Sequence, residues 1–297
     1  MFNARSNPLP KYDLPVLNAF KESLGQLAPT TIRCYIADIC TLLHFLKGDN
    51  EDAGQELLWV DNETITRFFA HINEIYSKAS IARRISALRL FYNFCVKQLY
   101  ITNSPMDLIE SPKLDKRHPQ MISLEDIEKI IAIVPRTLHG CRDKALLELL
   151  AFTGISISEL ANVQFFDIDI ENKTMRIKGK VRNIKLSERV AKSIRQYVTQ
   201  RKLLTENHLF LNRFGKKISE RSIRRNLNMY AIQAGITITV NPQILKHSYA
   251  YRLASQGIQL LGLRDALGHK SVGSVKIYTR MQEQEVAECY EESMICP

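Results

Sequence analysis

The sequence predicts a mainly α-helical protein of two domains, with one small β-hairpin in the second. Three observations support this. The length of 297 residues exceeds what one ordinary helical core needs and suits two. Apolar residues recur at the helical period through most of the chain, and that pattern breaks over 103–120, where Pro105, Pro112 and Pro119 lead into and sit within a basic stretch at 113–120.

In the first domain, 1–112, the periodicity predicts helices over 14–24, 30–46, 62–76 and 80–98. Thr30 or Thr31 after Pro29, and Ser80 before Ile81, are the expected N-caps, because a hydroxyl accepts from the open amides of a first turn. Within 80–98, Ile81, Ile85, Leu88, Phe91, Tyr92 and Cys95 share one face. Arg83, Arg84 and Arg89 are expected mostly off that face, as a basic stripe for a phosphate backbone.

The interruption at 113–120 holds Lys113, Lys116, Arg117 and His118 near Pro112 and Pro119, the composition of a basic linker. In the second domain, 121–297, helices are expected over 123–133, 142–152 and 158–163. Met175, Ile177, Ile184 and Leu186 then alternate around Gly179, which predicts a hairpin over 174–186. Helices resume over 188–197, 220–234, 242–255, 260–267 and 281–291.

Composition narrows the function classes. With 45% hydrophobic and 24% charged residues the chain has the profile of a soluble globular protein. No apolar run approaches the roughly 20 residues that span a bilayer, and no leader-like segment opens the chain, so the expected place is the cytoplasm, at the nucleoid. Six cysteines lack metal-ligand spacing and are expected as small buried hydrophobes, which leaves no metal or cofactor to invoke.

The formal charge of +10 points to a polyanionic partner. Its distribution sharpens this: residues 1–117 carry 14 Lys+Arg against 13 Asp+Glu, whereas 118–297 carry 27 against 18. Arg221, Arg224 and Arg225, on the helix predicted at 220–234, belong to that second basic body.

Chemistry is suggested by four segments: Phe152-Thr-Gly154 through Glu159-Leu160, Lys178-Gly179-Lys180, Asn241 through Ala250, and Ala266-Leu-Gly-His269 followed by Tyr278-Thr279. Together they resemble the tyrosine recombinases of the phage integrase family, most closely the bacterial XerC and XerD type. The histidine nine residues before the tyrosine is the most specific likeness. Arg83 through Arg89, Ser104-Pro105 and Ser111 through Leu114 extend it to that family's core-binding domain and linker.

The resemblance implies a helical, SAM-like core-binding domain and a mixed, mostly helical catalytic domain, closing as a clamp on duplex DNA. Tyr278 would attack a phosphodiester to form a 3'-phosphotyrosyl bond, with His269 and Lys180 handling protons and no metal or nucleotide required. The end of the chain, with Val286, Cys289 and Met294 as apolar anchors, would dock on a neighbouring protomer in a homo- or hetero-tetramer. Lys178, Arg182, Arg221, Arg224 and Arg225 join Arg83, Arg84, Arg89, Lys113, Lys116 and Arg117 as expected DNA contacts.

The sequence departs from the family pattern at three catalytic positions. Ser156 stands where the first arginine is expected, Gln243 replaces a histidine, and Lys246 replaces the second arginine. Ser156-Ile-Ser-Glu159 reads as a capping box, which reassigns that position to helix initiation. Lys246 keeps charge without the planar fork, and Gln243 donates a hydrogen bond but exchanges no proton near neutral pH. Arg142 and Arg182 are the candidates for a substitute arginine, Lys178 and Arg182 the alternatives to Lys180, and His247 is expected to pack or to bond backbone. Two classes of function follow: an attenuated recombinase, or a catalytically silent DNA-binding paralogue.

Overall fold

The computed structural model describes residues 14–47, 56–114, 119–178, 182–201 and 206–282. The chain divides into two compact units, Met1–Lys116 and Arg117–Pro297.

The first unit is built from α1 (Pro15–Ser23), α2 (Pro29–Lys47), α3 (Asn62–Asn73) and α4 (Lys78–Lys97). Each buries an apolar stripe: Phe20 from α1, Ile39 and Leu43 from α2, Phe68 from α3, and Leu88 and Phe91 from α4 meet in one core. Phe20 and Phe91 meet edge to face at 5.3 Å, and the buried Tyr92 hydroxyl donates to the Leu57 carbonyl at 3.1 Å, leaving no orphan donor there.

Two N-caps differ from expectation. Helix α2 begins at Pro29, whose fixed φ suits a first turn, ahead of Thr30 and Thr31. Helix α4 begins two residues early, at Lys78, because Ser77 accepts from the Ser80 amide, so Ser80 is the capped residue and not the cap.

The second unit packs around α6 (Leu138–Thr153), whose Ala145, Leu146, Leu149 and Leu150 are all buried. The expected helix at 142–152 is one turn longer at its start. Gly140 permits this: a Cβ there would lie 1.8 Å from the Pro135 carbonyl oxygen. Helix α5 (Leu124–Ala132), capped by Ser123, α7 (Ile157–Asn162) and α8 (Glu188–Gln200) surround it.

Strands β1 (Ile168–Asp169), β2 (Thr174–Ile177) and β3 (Arg182–Lys185) form an antiparallel sheet in the order β1-β2-β3, with Met175 opposite Ile184. The alternation of Met175, Ile177 and Ile184 sends all three into the core, as the sequence pattern requires. Two-residue β1 is too short to leave a pattern of its own, which is why only the hairpin was legible.

Helices α9 (Glu220–Gln233), α10 (Pro242–Ser255) and α11 (Leu260–Leu267) complete the unit. A small separate core of Ala250, Ala254, Leu263, Leu267, Val275 and Tyr278 joins α10 and α11 to the tyrosine segment. Residues 276–282 are already helical, so the helix expected over 281–291 starts earlier and carries Tyr278, and its remainder lies outside the described residues.

Candidate active site

Helix α10 sets the site's register. Asn241 caps it, its side chain accepting from the Gln243 and Ile244 amides at 2.9 and 3.1 Å, and Pro242 fills the first position. Gln243, Lys246 and His247 then stand at i, i+3 and i+4 and share one face. That face lines a cavity of about 340 Å³ with Ser156, Arg224, His269 and Tyr278.

Five of the six expected catalytic positions therefore meet: Ser156, Gln243, Lys246, His269 and Tyr278 line one space. The sixth, Lys180, lies outside the described residues, as do Lys116 and Arg117.

Tyr278 is almost wholly buried, with its hydroxyl 2.7 Å from His247 Nδ1. This corrects the expectation for His247, which was to pack or to bond backbone. Burial pushes the Tyr278 phenol up to about 12. Burial also lowers the His247 imidazole below its ordinary value, and the charge of Lys246 lowers it further. Both groups are thus neutral near pH 7, and in the Nε2–H tautomer His247 accepts from the phenol.

Helix α11 ends at Gly268 in the left-handed region, φ 63°, and His269 follows immediately. His269 Nδ1 lies 2.9 Å from the Ser274 hydroxyl, and its amide donates to the Arg264 carbonyl. Lys246 Nζ donates to the Leu267 carbonyl at 2.9 Å, so the lysine closes the last turn of α11 from across the cavity.

Ser156 serves as a complete capping box: its hydroxyl accepts from the Glu159 amide, and Glu159 accepts from the Ser156 amide at 2.8 Å. Glu159 also pairs with Arg182 at 3.3 Å, and Arg182 donates in addition to the Ala266 carbonyl. The guanidinium is packed against Gly268 so closely that a Cβ there would sit 2.9 Å from it. Arg182 thus ties β3 to α7 and to the turn that presents His269.

Arg142 is not a substitute for the missing arginine. It is buried, pairs with Asp143 and donates to the Leu211 carbonyl at 2.8 Å. Asp143 in turn accepts from Asn226 and from the Tyr230 hydroxyl, both at 3.1 Å, so Arg142 anchors α9.

Among the expected DNA contacts, Arg221, Arg225 and Lys113 are exposed, whereas Lys178 pairs with Gln164 and Asp167. Arg89 is half-buried and holds the Ile109 carbonyl and the Ser111 hydroxyl. Arg84 departs from expectation outright: it is buried, 3.6 Å from Asp38 and stacked 3.6 Å from the Tyr76 ring centre. At three residues after Ile81 and four before Leu88 it stands inside the apolar stripe, not beside it. Arg83 stays outward and pairs with the same Asp38.

Comparison with known proteins then decides the family. Residues 120–285 match the model of the phage integrase family, and residues 17–98 match that of the phage integrase N-terminal SAM-like domain. The chain belongs to the phage integrase family.

Within that family the chain is 30% identical to the tyrosine recombinase XerC of Myxococcus xanthus, over 93% of this chain and 96% of that protein. It is 28% identical to the tyrosine recombinase XerD of Staphylococcus epidermidis, over 89% and 92% respectively. The fold matches that of the XerH site-specific recombinase bound to palindromic difH substrate in a post-cleavage complex, with a TM-score of 0.75 at 20% identity, covering 92% of this chain and 83% of that one. The mostly helical phage integrase fold, with its SAM-like N-terminal domain and small sheet, is therefore the fold of this protein. Among the described residues no helix is long and apolar enough to cross a membrane.

Proposed function

We propose that this chain is a site-specific tyrosine recombinase that binds duplex DNA and cuts and rejoins it through a 3'-phosphotyrosyl intermediate, slowed by Ser156, Gln243 and Lys246. The observation that carries the reading is the Tyr278 hydroxyl, 2.7 Å from a neutral His247, in a cavity shared with Lys246 and His269.

In the proposed step the phenolic oxygen attacks phosphorus as the P–O5' bond breaks. His247 Nδ1 takes the phenolic proton, and the departing 5'-oxygen is protonated by a general acid, for which Lys180 is the candidate. Energy of the broken bond is kept in the phosphotyrosyl ester, so a 5'-hydroxyl of a partner strand reverses the step and rejoins DNA.

In this reading 1–112 is the core-binding domain, 113–120 a basic linker and 121–297 the catalytic domain. The basic balance of the second half and the exposed Arg221 and Arg225 support contacts to phosphate backbone. Protomers assemble on DNA as a tetramer through the chain's end, and the process served is resolution of chromosome or plasmid multimers, or movement of an element, in the cytoplasm.

A second reading is favoured by specific observations. Ser156 is absorbed in its capping box, and Lys246 reaches the Leu267 carbonyl, as expected of a silent paralogue that occupies a site or supports an active partner. A duplex cloned from DNA that copurifies with the chain and nicked near the cleavage position separates the two. A covalent adduct lost in Tyr278→Phe supports the recombinase; tight binding with no adduct supports the paralogue.

A further inference from the structure

A phosphodiester under attack gathers negative charge on its non-bridging oxygens, and a planar guanidinium matches two such oxygens in a way a point charge does not. The cavity's cations differ in what they offer. Lys246 donates to the Leu267 carbonyl. Arg182 is nearly buried between Glu159 and the Ala266 carbonyl and is not among the lining residues.

Arg224 is the one arginine among the described residues that line the cavity. Its side chain is 52% exposed and its partner is Glu220 at 3.0 Å, one turn earlier on the same helix. An exposed pair of that spacing is weak and yields readily to a phosphate.

The helix beneath is firmly held. Ile223 and Leu227 are buried on its inner face, and Asn226 and Tyr230 bond to Asp143, which Arg142 fixes from α6. Arg224 is thus a weakly held fork on a rigid base, lining the same cavity as Gln243, Lys246, His247, His269 and Tyr278.

We infer that Arg224 is a catalytic residue of this cavity: its guanidinium leaves Glu220 and clamps the non-bridging oxygens of the phosphate that Tyr278 attacks. The inference rests on reading the cavity as a phosphodiester site. It makes Glu220 a gate of opposite sign, holding the arginine at the rim until a phosphate displaces the carboxylate.

The test has two arms on the full chain. In the first, inorganic phosphate is titrated into DNA-free protein while the ring resonances of His247 are followed by NMR. Wild type should shift saturably, Arg224→Ala should lose the shift, Arg224→Lys should retain a weaker one, and Glu220→Gln should bind phosphate more tightly. An Arg224→Ala protein that titrates like wild type overturns the inference.

In the second arm, adduct formation on the nicked duplex should fall about 10²- to 10³-fold in Arg224→Ala. A methylphosphonate at the scissile position, which removes the charge the clamp is for, should restore much of that loss. Adduct at the wild-type rate in Arg224→Ala overturns the inference while leaving the recombinase reading intact. No adduct in wild type defeats the recombinase reading instead, and the phosphate titration then decides Arg224 alone.

Discussion

The two walls of the cavity differ in what their side chains are bonded to. On the wall made by α10 and residues 268–278, Tyr278 and His247 are hydrogen-bonded and both neutral with His269 beside them, while Gln243 and Lys246 on the same helix are two of the three departures from the family pattern. On the wall made by α7, the side chain at the family's arginine position has become a helix cap, and the nearby guanidinium of Arg182 is engaged by Glu159 and a backbone carbonyl. In the proposed reading the nucleophile and its proton acceptor are kept, while the charge-stabilising positions at the start of α7 and on α10 are occupied by Ser156 and Lys246.

The largest expected effect tests the three departures together. Ser156→Arg, Gln243→His and Lys246→Arg together should raise adduct formation by about 10²-fold or more, since each restored donor is worth about 3 to 4 kcal/mol at a charge-stabilising site. Single-turnover cleavage with matched DNA affinity measures it. A binding-competent triple variant with no gain would mean the site is organised in some other way.

The next prediction concerns His247. His247→Gln should slow adduct formation by about 10²- to 10⁴-fold, as loss of a positioned proton acceptor does. Burial, and after it the charge of Lys246, disfavour an imidazolium at His247. The wild-type rate should therefore stay level from neutral pH down to below 6.5 and fall only in more acid solution, while the phenol, raised to about 12, adds no ascending limb at mildly alkaline pH.

The same shift has a stability consequence of known sign. Because the unfolded chain binds the His247 proton at a higher pH than the folded one, stability is complete above 6.5 and declines as pH falls through the window below it. A pH series of thermal melts should show that slope diminished in His247→Gln.

A smaller effect separates structural from chemical arginines. Arg182→Met should destabilise the second unit by about 3 kcal/mol, because it strands Glu159 in a buried setting, and Arg182→Met with Glu159→Gln should recover part of it. Chemical denaturation reads both. Smallest is the loss of a cap: Asn241→Ala should cost about 1 kcal/mol by the same measurement and loosen the first turn that places Gln243.

Much of this was legible from residues alone where the signal is local. Helices α10 and α11 have the bounds that periodicity gave them, Pro242 and Asn241 marking one start and Gly268 one end. The capping box at Ser156 was equally plain, since it needs only four consecutive residues. The convergence of Ser156, Gln243, Lys246, His269 and Tyr278 came from the family resemblance, not from any periodicity.

Other features were not legible, because they depend on what packs opposite. Arg84 has the sequence of a surface stripe and the position of a core residue, and only Asp38 and Tyr76, far along the chain, decide that it goes inward. His247 was placed beside the lysine by sequence, but its partner lies 31 residues on.

By itself the sequence determined the helical class, the capping box at Ser156 and the spacing that puts Gln243, Lys246 and His247 on one face, because these follow from interactions within a few residues. Only the tertiary structure decided which cations reach the cavity. Arg142, Arg182 and Arg224 are chemically identical, and packing alone makes the first an anchor for α9, the second a tie between β3 and α7, and the third a side chain lining the cavity that holds Tyr278.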